Sequence, residues 1–216
     1  MMLKLFIKSL AYLALIVGFS IAKAGAYEDF FQAVRRDDGA AVEALLVRGF
    51  DPNARDEKGQ SALFLSQREG SFKAASVLLL HPQTRVDLLN AAGESALMMA
   101  ALKGHVDWVN RLLDKGARLE GPAPAAWTAL HYAATGPEPR TVQALLARGA
   151  LVNARSPNGT TPLMMAARYG AEASVSLLLQ AGADAALQNE GALRASDFAK
   201  LAGRDALAQR LAQPGR

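Results

Sequence analysis

Ser61-Ala62-Leu63-Phe64, Ser95-Ala96-Leu97-Met98, Thr128-Ala129-Leu130-His131 and Thr161-Pro162-Leu163-Met164 are four versions of one phrase. Their first residues stand 34, 33 and 33 positions apart. A fixed period of that size predicts stacked repeats, each a supersecondary unit that buries its apolar face only against its neighbours. Such a chain forms an extended surface rather than a cavity around a reaction, so the functional question starts from what it holds.

The same marks surround each phrase. Gly59, Gly93 and Gly159 lie two residues before it, and in the fourth unit Trp127 follows Ala126 at the corresponding place. Nine residues after its first position stand Gly70, Gly104 and Gly170. Aliphatic runs follow at Val77-Leu78-Leu79-Leu80, Leu112-Leu113, Leu145-Leu146 and Leu177-Leu178-Leu179, and Gly116, Gly149 and Gly182 close three of them. Each mark has a physical reading. Ser or Thr before an apolar stretch predicts a helix N-cap, its oxygen accepting from a free backbone N–H. Pro162 fits the first helical position, where no N–H partner is lost. The glycine nine residues on is suited to the left-handed conformation that ends a first helix. The aliphatic run is the buried side of a second helix, and polar stretches such as 51–59 make the turn to the next unit.

The pattern resembles the ankyrin repeat, whose signature is Thr-Pro-Leu-His-x-Ala at a 33-residue period. Residues 128–134 and 161–167 carry the nearest copies, and Gly104-His105 supplies the Gly-His pair. The resemblance implies an all-α solenoid of about six helix-turn-helix repeats with hairpin-like loops. Degenerate copies flank the four clear ones. Phe30, Ala33, Leu45-Leu46 and Gly49 mark a first capping unit, and Asp197-Phe198-Ala199, Gly203, Leu207 and Leu211 a last one. The divisions expected are 27–58, 59–92, 93–125, 126–158, 159–191 and 192–216. Pro82 after His81 replaces the closing glycine of the second unit, and the loop over 121–126 is proline-rich.

Residues 1–24 read as a secretory signal peptide, with Lys4 and Lys8 before an apolar core from Leu10 to Ala22 and cleavage after Ala24 or Ala26. That core is shorter than the roughly 20 residues of a membrane helix. An uncleaved anchor is the rival reading. The formal charge of +4 owes three lysines to this leader, so the remainder carries 21 basic against 20 acidic residues and lacks the basic excess of a nucleic-acid binder. The absence of cysteine in an exported chain favours a bacterial periplasm. The expectation is a monomer, free of the membrane once cleaved.

His81, His105 and His131 are the only histidines. None has a spaced nucleophile or carboxylate that makes a catalytic set. No phosphate-cradling, zinc or calcium motif is present. Met98-Met99 and Met164-Met165 share one repeat position, and packing explains them better than Cu(I) ligation, because adjacent helical residues diverge by about 100°. No catalytic residue, metal or cofactor is expected. By resemblance, the first helices and loop tips form a concave groove. The residues aimed into it are Leu65, Met99, Tyr132 and Met165, followed along the same helices by Arg68, Leu102, Lys103, Arg168 and Tyr169. The loop tips add Arg55, Leu88, Arg155 and Asn158. An exposed Leu, Met and Tyr row suits a contact surface. The function expected is non-catalytic binding of another protein in the periplasm, as an accessory or stabilising factor for an enzyme. A secreted, host-directed effector and an enzyme with a site spanning repeats are the alternatives.

Overall fold

A computed structural model describes residues 25–121, 123 and 126–213. The signal-peptide reading of 1–24 lies outside the described residues. Among the described residues twelve helices follow one another in six antiparallel pairs: α1 (25–35) with α2 (Gly39–Val47), α3 (Ala62–Glu69) with α4 (Phe72–Leu80), α5 (Ala96–Lys103) with α6 (Val106–Asp114), α7 (Ala129–Thr135) with α8 (Pro139–Ala147), α9 (Pro162–Tyr169) with α10 (Glu172–Gln180), and α11 (Ala195–Leu201) with α12 (Asp205–Ala212). Extended backbone among the described residues pairs only at an isolated bridge between Arg55 and Ser61. The fold is the all-α repeat solenoid expected. No described helix is long and apolar enough to cross a membrane.

The phrase folds as its chemistry dictates. Ser61, Ser95 and Thr161 accept from the backbone N–H three residues on, at 3.2, 3.2 and 3.4 Å. The fourth residue of the phrase answers the N-cap's own N–H. His131 Nδ1 accepts it at 3.2 Å, and the sulfurs of Met98 and Met164 accept it at 3.4 Å. In the last unit the Asp197 carboxylate does so at 2.8 Å. Imidazole, thioether and carboxylate thus fill one acceptor role, which explains why this column tolerates such different residues.

Small residues let the first helices approach closely. Ala100-Ala101, Ala133-Ala134 and Ala166-Ala167 are buried, and α5, α7, α9 and α11 pack in series. Leu63, Leu97, Leu130 and Leu163 fill the layer between them, and Leu78, Leu112, Leu145 and Leu178 do the same under the second helices. Each buried leucine is worth about 1.5–3 kcal/mol relative to exposure. The glycine nine residues on splits into two roles. Gly70 and Gly104 take the left-handed conformation at φ 75° and 80°. Gly170 departs from that expectation, with extended backbone at φ −83°. Its requirement is space, since a Cβ there would stand 2.1 Å from the Ala134 carbonyl oxygen. After α4 the helix ends at His81, extended at ψ 129°, as a residue before proline prefers. The Thr84 hydroxyl then donates to the Leu78 carbonyl at 2.6 Å, beside the His81 N–H that the same oxygen accepts.

One hydrogen-bond register runs through the connecting loops. Asn53, Asp87, Glu120 and Asn153 occupy the same repeat position. Their side-chain oxygens accept from the N–H groups of Arg85, Arg118, Leu151 and Asp184 in the following unit, at 2.8, 2.8, 3.2 and 2.9 Å. Three residues further along, Asp56, Asn90 and Asn189 each close their own hairpin tip by accepting two backbone N–H groups. In the third unit Ala123 stands in that column and carries no such acceptor.

Candidate functional site

The first helices and the hairpin tips share one face, and a groove of about 240 Å³ opens on it across three consecutive units. Its walls are Leu102 from α5, His131, Tyr132 and Thr135 from α7, Met165 from α9, and Trp127 from the turn before α7. Helical spacing puts His131 and Thr135 four residues apart on one side of α7, with Tyr132 beside them.

Most polar atoms in the groove are already engaged. The Tyr132 phenol donates to one Glu94 oxygen at 2.9 Å, and the other Glu94 oxygen accepts from the Asn90 amide at 2.7 Å. Burial, then the hydrogen bond to Glu94 and its negative charge, raises the Tyr132 phenol well above its usual range. Thr135 donates its hydroxyl to the His131 carbonyl at 2.9 Å. The His131 ring is fully buried, with Nε2 3.0 Å from the Thr160 carbonyl and Nδ1 2.9 Å from the Thr128 hydroxyl. That arrangement requires Nε2 to carry the proton and Nδ1 to accept. Burial pushes the His131 pKa down to about 4, overriding the carbonyl bonds that favour the charged form. Trp127 meets the same ring edge to face, centroids 5.2 Å apart. His131 is therefore a neutral structural group that supports the groove floor. Among the described residues no cluster of three or more His, Asp or Glu side chains could hold a metal ion.

The structure brings together Leu102, Tyr132 and Met165, three of the residues assigned to the groove from sequence. Two others it withdraws. Leu65 is fully buried, and Met99 is 7% exposed, so the expectation of an exposed row at all four positions is corrected. Leu65 is part of the continuous apolar core, where α3 packs against both α4 and α5. Around the rim, Arg68 is held by Glu69 at 2.7 Å and by Gln60 at 2.6 Å. Arg168 lies 5.1 Å above the ring of Tyr169, which is 56% exposed. Lys103 is exposed beside Leu102. At the loop tips Arg55 donates to the carbonyls of Gly59 and Leu89, and Arg155 to that of Gln188, so both guanidinium groups join one hairpin to the next. The Asn158 side chain accepts from the Ser156 hydroxyl at 2.6 Å within its own turn, and Leu88 is half-buried.

Trp127 and Thr135 belong to the groove but were not assigned to it from sequence. A signal for Trp127 was present. Its column holds Gln60, Glu94 and Thr160 in the other units, so one aromatic residue among polar ones stood out. Thr135 gave none, because it shares a column with Arg68, Leu102 and Arg168.

A family described as ankyrin repeats (3 copies) matches residues 30–123 and 119–189. Among curated proteins, a probable E3 ubiquitin-protein ligase, XBOS31, from Oryza sativa is 35% identical over 49% of this chain and 24% of its own length. The nuclear factor NF-kappa-B p105 subunit from Gallus gallus is 33% identical over 47% of this chain and 11% of its own. The NF-kappa-B inhibitor alpha from Rattus norvegicus is 31% identical over 43% of this chain and 31% of its own. The chain thus spans about a third or less of these relatives. Among solved structures, one chain of a complex between Bd0816, a predatory endopeptidase from Bdellovibrio bacteriovorus, and the immunity protein Bd3460 aligns with a TM-score of 0.73 and 29% identity. That alignment covers 87% of this chain and 98% of the other.

Proposed function

The chain belongs to the ankyrin-repeat family, and on that footing we propose that it is a non-catalytic binding module that acts in the periplasm and holds a cell-envelope enzyme, of the peptidase class, along its concave groove. The observation that carries this reading is the groove itself. Leu102, Trp127, Tyr132 and Met165 present apolar surface from three repeats, while the one histidine present, His131, is buried and committed to hydrogen bonds. Aromatic side chains in a partly desolvated setting are the usual anchors of protein contacts.

The likeness to a chain of the endopeptidase–immunity protein complex supports the partner class. A helical repeat stack without a catalytic set corresponds to the immunity component of that pair rather than to the peptidase. The basic, then apolar, then small-residue start of the chain supports export. On this reading the protein guards its own cell against an enzyme it would otherwise be exposed to.

The test is capture from a periplasmic extract of the native cell, using the tagged mature chain. The expected result is recovery of a peptidase whose activity falls when bound. Trp127→Ala combined with Met165→Ala should lower recovery about tenfold or more, the scale of a single interface hot spot, with far-UV helicity unchanged. Undiminished recovery would remove the groove from the reading, and a protein confined to the cytoplasmic fraction would remove the export.

A further inference from the structure

The groove has apolar walls and a charged rim. Its volume of about 240 Å³ is below the about 300–1,000 Å³ of small-molecule sites, and suits one large side chain entering from a partner. The hydroxyls of Tyr132 and Thr135 donate within the protein, and both ring nitrogens of His131 are engaged. The remaining recognition chemistry therefore lies on the rim.

Two carboxylates near the groove are hydrogen-bonded within the protein. Glu94 is held by the neutral groups of Tyr132 and Asn90 and keeps its charge below the groove. Glu138, whose Cβ packs against Gly104, is bonded by Arg140 at 3.0 Å. Two rim cations stand apart from this. Lys103 follows the groove residue Leu102, and Arg168 lies one helical turn beyond the groove residue Met165. Among the described residues neither is in an ion pair, whereas Arg35, Arg68, Arg140, Arg148 and Arg210 are.

We infer that the segment entering this groove is an acidic one, a large apolar anchor seated against Trp127 and Met165 with flanking carboxylates reaching Lys103 and Arg168. The inference rests on the groove being the partner surface, and adds the charge of what fills it. Complementary rim charge sets which partner is accepted and how fast it is met.

The chain has two tryptophans, and the other, Trp108, lies on α6, stacked on Phe72 with centroids 5.6 Å apart. Trp108→Phe therefore makes Trp127 the sole indole and a direct reporter. Blocked peptides with a central Leu-Phe pair, flanked by glutamates, glutamines or lysines, are titrated against this variant while its fluorescence is followed. The glutamate peptide is expected to bind about fivefold or more tighter than the glutamine peptide, the scale of two exposed ion pairs. The gap should close with added salt and with Lys103→Glu plus Arg168→Glu. Equal affinities, a preference for the lysine peptide, or no response from Trp127 to any peptide overturns the inference. Enzyme capture separates the two claims. If Trp127→Ala with Met165→Ala abolishes capture and the charge reversal leaves it intact, the groove stands and the acidic segment falls.

Discussion

At the N-terminal end Asp37 takes a left-handed backbone at φ 56° and its carboxylate accepts from the N–H groups of Lys73 and Ala74, in the first turn of α4 in the next unit. At the C-terminal end Arg204 reaches back into the preceding unit and donates to the carbonyls of Ala166, Ala167 and Gly170, each at 3.0 Å. The two ends thus meet one problem with opposite charges. An anion sits at a helix N-terminus and a cation at a helix C-terminus, each matching the sign of the helix dipole. The central units add neutral acceptors, Met98, His131 and Met164, inside their own phrases, while Asp87, Glu120 and the Arg148–Asp114 pair carry charge between them. A terminal unit has only one neighbour to stack on, and here each is joined to it by a charge that crosses the boundary.

Acid should break the centre before it breaks either end, and by the largest margin. The folded-state pKa of His131 is near 4, below its ordinary value of 6.5. The unfolded chain therefore binds more protons between those values, and this stability is full above about pH 6.5 and lost as pH falls toward 4. The loss from His131 is about 3 kcal/mol at most, since each tenfold difference in proton affinity is worth roughly 1.4 kcal/mol. Burial, then Lys103, also lowers His105, which acts in the same direction. His131→Met, which copies Met98 and Met164, should leave stability at neutral pH nearly unchanged and reduce the acid loss by that amount, read from urea midpoints at both pH values. An unchanged acid loss would show that His131 is not the group titrating.

The ends can be set against each other directly. Arg204→Met keeps the aliphatic stem and removes the charged donor, at a cost of about 2 kcal/mol. Asp37→Ala removes an N-terminal cap, at about 1 kcal/mol. Hydrogen exchange should speed up in α11 and α12 for the first and at the start of α4 for the second. Equal effects at both ends would erase the asymmetry between three carbonyl partners and two amide partners.

A smaller effect of opposite sign should come from Gln67. It is fully buried, and neither amide atom has a hydrogen-bond partner among the described residues. Its column elsewhere holds Ala101, Ala134 and Ala167. Gln67→Leu, close in volume, should raise stability by about 1 kcal/mol, the lower end of the cost of an unpaired buried polar group. A fall in melting temperature would show that the amide is partnered after all.

The architecture was legible in the chain because a repeat writes its rules several times over. Period, N-cap, leucine layer and aliphatic run recur, so each unit checks the others. The site was legible only in part. Leu102, Tyr132 and Met165 were found by column, yet the column of Tyr132 and Met165 also placed Leu65 and Met99 in the groove, where the structure buries them. A column states which way a Cα–Cβ bond points, and exposure depends on what neighbouring units place over it.

The sequence by itself determined the stack, its N-caps and its leucine layer, because these follow from local chemistry repeated at one period. Only the tertiary structure decided that Trp127 joins the groove, that Gly170 is needed for close approach rather than for a left-handed turn, and that Asp37 and Arg204 act on units other than their own. Those facts lie in contacts between units, among residues some 29 to 38 positions apart. Which side chains fill the space between repeats is set by packing, and packing is a property of pairs of units that no single unit carries.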